Sequence, residues 1–95
     1  MASIGVLTLE LRLDNSHSLK DKRQVVKSLK ERLRHKFNVS VAEIDGHDLW
    51  QRAVIAAVTV SADRDYAEKL LQLVEHEAAA QLGPALVGTG VEWVE

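Results

Sequence analysis

The sequence predicts an α+β fold in which a four-stranded antiparallel sheet carries two helices on one face. Three observations lead to this fold class. Apolar and polar residues alternate near the N-terminus, two longer segments have helical periodicity, and an Asp-Gly dipeptide separates two β-rich segments in the middle of the chain. The predicted element order is therefore β-α-β-β-α-β, in a single domain that spans residues 1–95.

The first strand is predicted from about Ser3 to Asp14. Every odd position from Leu7 to Leu13 is leucine, and the even positions between them are polar. Because side chains alternate between the two faces of a strand, the leucines share one buried face.

The first helix is predicted from about Leu19 to Lys36. Ser18 precedes it as an N-cap residue, and Asp21 follows three positions later in a capping-box pattern. The apolar residues that recur at helical spacing and define the buried arc are Val25, Val26, Leu29 and Leu33.

The central hairpin is predicted around Asp45-Gly46, a dipeptide that favours the backbone angles of a tight turn. The strand that follows is apolar at nearly every position from Val54 to Val60. Such a strand is typical of the centre of a sheet, covered on both faces.

A second helix is predicted to begin near Asp63 and to end at Gly83-Pro84, and a last strand to run from Ala85 to Val94. Within that strand, Gly88-Thr89-Gly90 predicts a bend or bulge. The complete pattern is that of the ferredoxin-like fold, whose sheet has one face free of helices.

The composition excludes several classes of site. The chain has no cysteine, so disulfides, thiolate catalysis and iron–sulfur clusters are excluded. The N-terminal segment lacks the features of a signal peptide or a membrane span, and we expect a cytoplasmic protein with no membrane partner. The sequence shows no catalytic motif and no histidine pair at metal-ligand spacing. We therefore predict no catalytic residues, no metal, no cofactor and no enzymatic activity.

Positive charge is concentrated on the first helix. Eight of the twelve Lys and Arg residues lie between positions 20 and 36, where the net charge is +6 although the whole chain carries −2. Five of them share one flank of the helix over about 21 Å, and we call them the basic stripe: Lys20, Arg23, Lys27, Lys30 and Arg34.

Two explanations of the basic stripe remain open. The first is contact with the phosphates of a nucleic acid, with structured RNA favoured. The second is pairing with the acidic residues of the second helix, together with solvent screening. Those acidic residues are Asp63, Asp65, Glu68, Glu75 and Glu77.

The helix-free sheet face is a second candidate surface. If the leucines of the first strand face the helices, the residues that alternate with them face away, and an apolar sheet face of this kind favours a homodimer. The predicted interface residues are Ile4, Val6 and Thr8, together with Trp50 and Trp93. The alternative function is therefore a homodimeric protein-interaction or ligand-sensing module that works through this face.

Three segments, HSLKDKRQVVKSL, RHKFNVSVAE and HDLWQRA, resemble the YlxP-like family of small bacterial proteins, a domain of unknown function. The matching positions are Ser18, Leu19, Lys20, Lys22 and Arg23, then Asn38 to Glu43, then Trp50, Gln51 and Arg52. The resemblance implies a ferredoxin-like fold, a bacterial cytoplasmic setting and genes located near those of translation-initiation and ribosome-maturation factors. With this resemblance, we expect ribosomal RNA or the small ribosomal subunit as the partner.

Overall fold

The computed structural model describes residues 1–94 and has the predicted element order. The strands are β1 (Ser3–Arg12), β2 (Ser40–Asp45), β3 (Arg52–Ser61) and β4 (Leu86–Trp93), and the helices are α1 (Leu19–Lys36) and α2 (Arg64–Leu82). A short 3₁₀ turn, Gly83–Ala85, joins α2 to β4. The sheet has the order β2-β3-β1-β4, and its paired strands are antiparallel. The predicted ferredoxin-like fold is confirmed.

Both helices begin at side-chain caps. The Ser18 hydroxyl accepts a hydrogen bond from the Asp21 N–H at 3.1 Å, and the Asp21 carboxylate accepts one from the His17 N–H at 3.2 Å. Asp63 caps α2, since its Oδ1 accepts from the Asp65 N–H at 2.9 Å. These contacts satisfy N–H groups that have no partner inside a helix.

The core lies between the sheet and the two helices. The β1 leucines are buried against it, as the alternation predicts, and β3 adds Ala53, Ile55 and Ala57 to the same face. The helices contribute buried apolar side chains from one face each: Val26, Leu29 and Leu33 of α1, and Ala67, Leu71, Val74 and Ala78 of α2. Among residues 1–94, no helix is long and apolar enough to cross a membrane.

The β2–β3 connection differs from the predicted tight turn. Gly46 has the expected positive φ of 82°, but the connection spans residues 46–51 rather than two residues. The Gly46 carbonyl accepts hydrogen bonds from the Leu49 N–H and from the Lys22 ammonium. The loop is therefore drawn toward α1 and does not close directly into β3.

Candidate nucleic-acid interface

The basic stripe lies on one flank of α1 and is accessible to solvent. Lys20, Arg23, Lys27 and Arg34 are exposed, and Lys30 is half-buried. Successive residues of an α-helix are rotated by about 100° around the helix axis. By this rotation, the centre of the buried arc lies about 100° from the centre of the basic stripe. The five side chains therefore form one continuous surface beside the core.

Polar contacts show which flank of α1 faces α2. Arg32 Nε lies 2.6 Å from Glu77 Oε2, and Lys36 Nζ lies 2.9 Å from Glu77 Oε1. Near the other end of this contact, the Gln81 side-chain amide donates to the Ser28 hydroxyl at 3.2 Å. Arg32 and Lys36 project about 180° from the centre of the basic stripe. The stripe therefore faces away from α2, on the side of the edge strand β2 against which α1 packs.

Pairing with α2 does not account for the charge of the basic stripe. Within residues 1–94, the only ion pair of a stripe residue joins Lys27 Nζ to Glu31 Oε1 at 4.0 Å, within α1. The one acidic residue of α2 that forms ion pairs in this part of the chain is Glu77, and it binds the opposite flank. The part of the second explanation that pairs these five residues with α2 is therefore wrong, while their screening by solvent stays a prediction.

Glu77 is held in its charged form by its two partners. Hydrogen bonds from Lys36 and Arg32 lower the pKa of the Glu77 carboxyl below its ordinary value. The flank of α1 that faces α2 thus has half of the charge of Arg32 and Lys36 compensated by Glu77.

Lys22 is one of the eight basic residues between positions 20 and 36, but it is buried. Its side chain is 1% exposed, and its ammonium nitrogen lies 2.7 Å from Glu43 Oε2 on β2. It also donates hydrogen bonds to the carbonyls of Gly46 and His47. Lys22 therefore links the β2–β3 loop to α1 through hydrogen bonds, and its ammonium group is unavailable to a ligand.

A signal for this burial is present in the sequence. Lys22 precedes Val26, Leu29 and Leu33 by four, seven and eleven positions, so it occupies a core position of the helical pattern. A lysine at a core position needs a buried partner, because an unpaired buried ammonium group is very costly.

The structure places Ile4, Val6 and Thr8 on the sheet face that carries no helix. They alternate with the buried leucines of β1, and all three are half-buried by their neighbours within the sheet. Their cross-strand partners on β3 are Val60, Val58 and Ala56. The predicted orientation of β1 is confirmed, while the predicted role of this face in dimerisation stays a prediction.

The two tryptophans lie apart from those three residues. Trp93 pairs with Gly5 on the leucine face of β1, and the Arg64 guanidinium lies 4.4 Å from the centre of its ring. A Cβ on Gly5 would come 2.9 Å from the Trp93 ring and 2.7 Å from Leu71, so only glycine fits there. The prediction that Trp93 shares a surface with Ile4 and Val6 is wrong, because the register of β4 turns it toward α2. Trp50 lies in the 46–51 loop, 48% exposed.

Solved structures with a similar fold include two designed proteins. Foldit4 superposes with a TM-score of 0.59 and 11% identity, over 100% of this chain and 98% of that one. LFR1 1, a designed protein with ferredoxin fold, superposes with a TM-score of 0.51 and 11% identity, over 99% and 84% of the two chains. At this identity the likeness shows the fold alone.

Sequence comparison identifies the family. The model of the family described as "Protein of unknown function (DUF503)" matches residues 4–91. The uncharacterized protein YlxP of Bacillus subtilis (strain 168) is 42% identical over 71 residues, which cover 75% of this chain and 77% of that protein. The resemblance found in the three sequence segments is thereby confirmed, and the chain belongs to the DUF503 family of proteins of unknown function.

Proposed function

We propose that this protein is a non-catalytic binding protein that attaches to structured RNA, in particular to ribosomal RNA of the small subunit, through the basic stripe. The observation that carries the proposal is the contrast on α1. Arg32 and Lys36 pair with Glu77, whereas the stripe is exposed and its one ion pair within residues 1–94 is the 4.0 Å contact inside α1.

Phosphate groups are the ligand that this arrangement fits. Lys and Arg side chains bind phosphate through charge-assisted hydrogen bonds, and a row about 21 Å long can contact several successive phosphates. Such contacts release counterions. The affinity of a complex with five of them would therefore fall by about 100- to 500-fold when the salt concentration rises from about 50 to about 200 mM.

The charge of the rest of the chain limits how a polyanion can approach. Outside residues 20–36 the protein carries a net charge of −8, which repels phosphate. This distribution supports one local contact along α1 rather than a chain coated by nucleic acid. The gene neighbourhood implied by the family resemblance favours ribosomal RNA as the polyanion.

Co-sedimentation with purified small ribosomal subunits across a salt series tests the proposal. The double variant Lys27→Glu/Lys30→Glu removes two phosphate contacts and adds two repulsive charges. We expect it to bind at least about 10-fold more weakly than wild type at low salt. The slope of log affinity against log salt concentration should also fall by the amount that about two phosphate contacts contribute.

Two single variants control for the change in the net charge of the protein. Lys27→Glu and Lys69→Glu change the charge equally, but Lys69 is an exposed residue of α2 outside the stripe. We expect Lys27→Glu to weaken binding and Lys69→Glu to leave it unchanged. Unaltered binding of the double variant, or equal losses in the two single variants, would contradict the assignment to the stripe.

A further inference from the structure

We infer that the helix-free face of the sheet, which we call the open face, binds a second copy of this chain in a homodimer with twofold symmetry. The open face is formed by the residues of β1 and β3 that alternate with the core, together with their neighbours on β2 and β4. Its central residues are Ile4, Val6, Thr8, Val54, Ala56, Val58 and Val60, and its β4 residues are Gly88, Gly90 and Glu92.

The centre of the open face is apolar and neither helix covers it, although Val54 and Ala56 are only 9% and 8% exposed. Val60 is 58% exposed, and Val6 and Val58, which pair directly across β1 and β3, are only half-buried. Both helices lie on the opposite side of the sheet, against the β1 leucines. Contiguous apolar surface of this kind marks an interaction site in a folded protein.

Gly90 gives an independent indication that another molecule approaches here. It lies in the regular ladder opposite Thr8, and its φ is not positive, so the backbone does not require glycine. Among residues 1–94, apart from the two chain neighbours of Gly90, no heavy atom lies within 4 Å of the position its Cβ would take, so packing of these residues does not require glycine either. A glycine inside a strand is unfavourable and often marks the close approach of another backbone.

The surface around Gly90 is recessed, as the missing side chain at this position leads one to expect. A shallow cavity of about 410 Å³ lies over β4 and the adjoining part of β1, lined by Thr8, Glu10, Gly88, Gly90 and Glu92 among others. Gly88 contributes to the same recess and lies beside the register shift between β1 and β4. A side chain at position 90 would fill part of this space.

The size of the open face is sufficient for a dimer of this chain. Four strands about 4.8 Å apart and about 30 Å long give a face of about 600 Å². Two copies packed face to face would bury about 1,200 Å², which reaches the lower limit of specific interfaces. Twofold symmetry requires only that this one face pair with itself.

The charges of the open face favour a second copy of this chain over a nucleic acid. Arg52 lies 3.8 Å from both Glu10 and Asp45. With Arg12, its cross-strand partner, it offsets these two carboxylates, and Glu92 adds one negative charge to the face. The basic stripe, in contrast, would repel a second stripe. The open face also lacks the cluster of basic residues that a nucleic acid needs.

Molar mass measured by light scattering and sedimentation velocity at about 100 μM protein tests the inference, since dimer populations depend on protomer concentration. We expect wild type at twice the chain mass. Val6→Glu places a charge at the centre of the face, and Gly90→Val fills part of the recess with a strand-favouring residue whose Cβ has open space around it. We expect each to raise the dimer dissociation constant at least about 10-fold.

Leu73→Glu is the control. Leu73 lies on α2, on the other side of the sheet from the open face, and is 55% exposed, so we expect this variant to remain dimeric. The far-UV circular dichroism of Gly90→Val should match that of wild type, which guards against misfolding, while its unfolding temperature at about 100 μM should fall because the dimer is lost. A monomeric wild type, or a dimer that persists in both open-face variants, would overturn the inference.

Discussion

On α1, the flank that faces α2 and the flank that faces away from it both carry Lys and Arg, but their surroundings differ. Arg32 and Lys36 share the carboxylate of Glu77, while the basic stripe is exposed and has one weak pair, with Glu31, among the residues described. Lys22 lies between these two flanks, inside the core. A count of charges on a helix therefore does not distinguish residues that hold the fold together from residues available to a ligand.

The largest expected effect comes from Lys22. Lys22→Ala leaves the Glu43 carboxylate, 13% exposed, and the His47 carbonyl without this donor, and the Gly46 carbonyl with the Leu49 N–H alone. We expect the free energy of unfolding to fall by about 3–5 kcal/mol, the typical result of breaking a buried ion pair, as measured by urea denaturation. Lys20→Ala, on the exposed stripe, should change it by less than about 0.5 kcal/mol.

A double variant separates lost charge pairing from lost packing. Lys22→Met/Glu43→Leu removes both charges and keeps apolar volume, so it should recover most of the stability lost in Lys22→Ala. If Lys22→Ala were as mild as Lys20→Ala, the buried ion pair would not exist in solution.

An intermediate effect is expected at Glu77, and it should depend on pH. The pKa of this carboxyl is lower in the folded protein than its ordinary value of 4.5, so its pairing contributes stability above that pH and loses it as the pH falls through the folded pKa. Wild type should therefore be more stable than Glu77→Gln near neutral pH, with a gap that narrows as the pH falls below 4.5. Urea denaturation over this pH range measures the gap, and a constant gap would show that the ion pairs with Arg32 and Lys36 do not contribute.

Much of the fold and part of the site could be predicted because they depend on local pattern. The alternating leucines of β1 and the Ser18 cap are properties of neighbouring residues, and both were predicted as they occur. The partner of Lys22 lies on β2, and the choice of Glu77 among five acidic residues depends on how α1 and α2 cross. The face of Trp93 depends on the register of β4, which shifts beside Gly88. These features require tertiary contacts that no periodicity encodes.

The smallest expected effect on stability belongs to the basic stripe itself. Lys27→Gln/Lys30→Gln removes the 4.0 Å contact with Glu31, but it also removes like-charge neighbours three and four positions apart along α1. These contributions are each a few tenths of a kcal/mol and opposite in sign, so the free energy of unfolding should stay within about 0.5 kcal/mol of wild type. Urea denaturation at low salt, where surface charges are least screened, measures the change. A loss larger than about 1 kcal/mol would mean that the stripe stabilises the fold like the opposite flank, and its exposure would then be no argument for a bound polyanion.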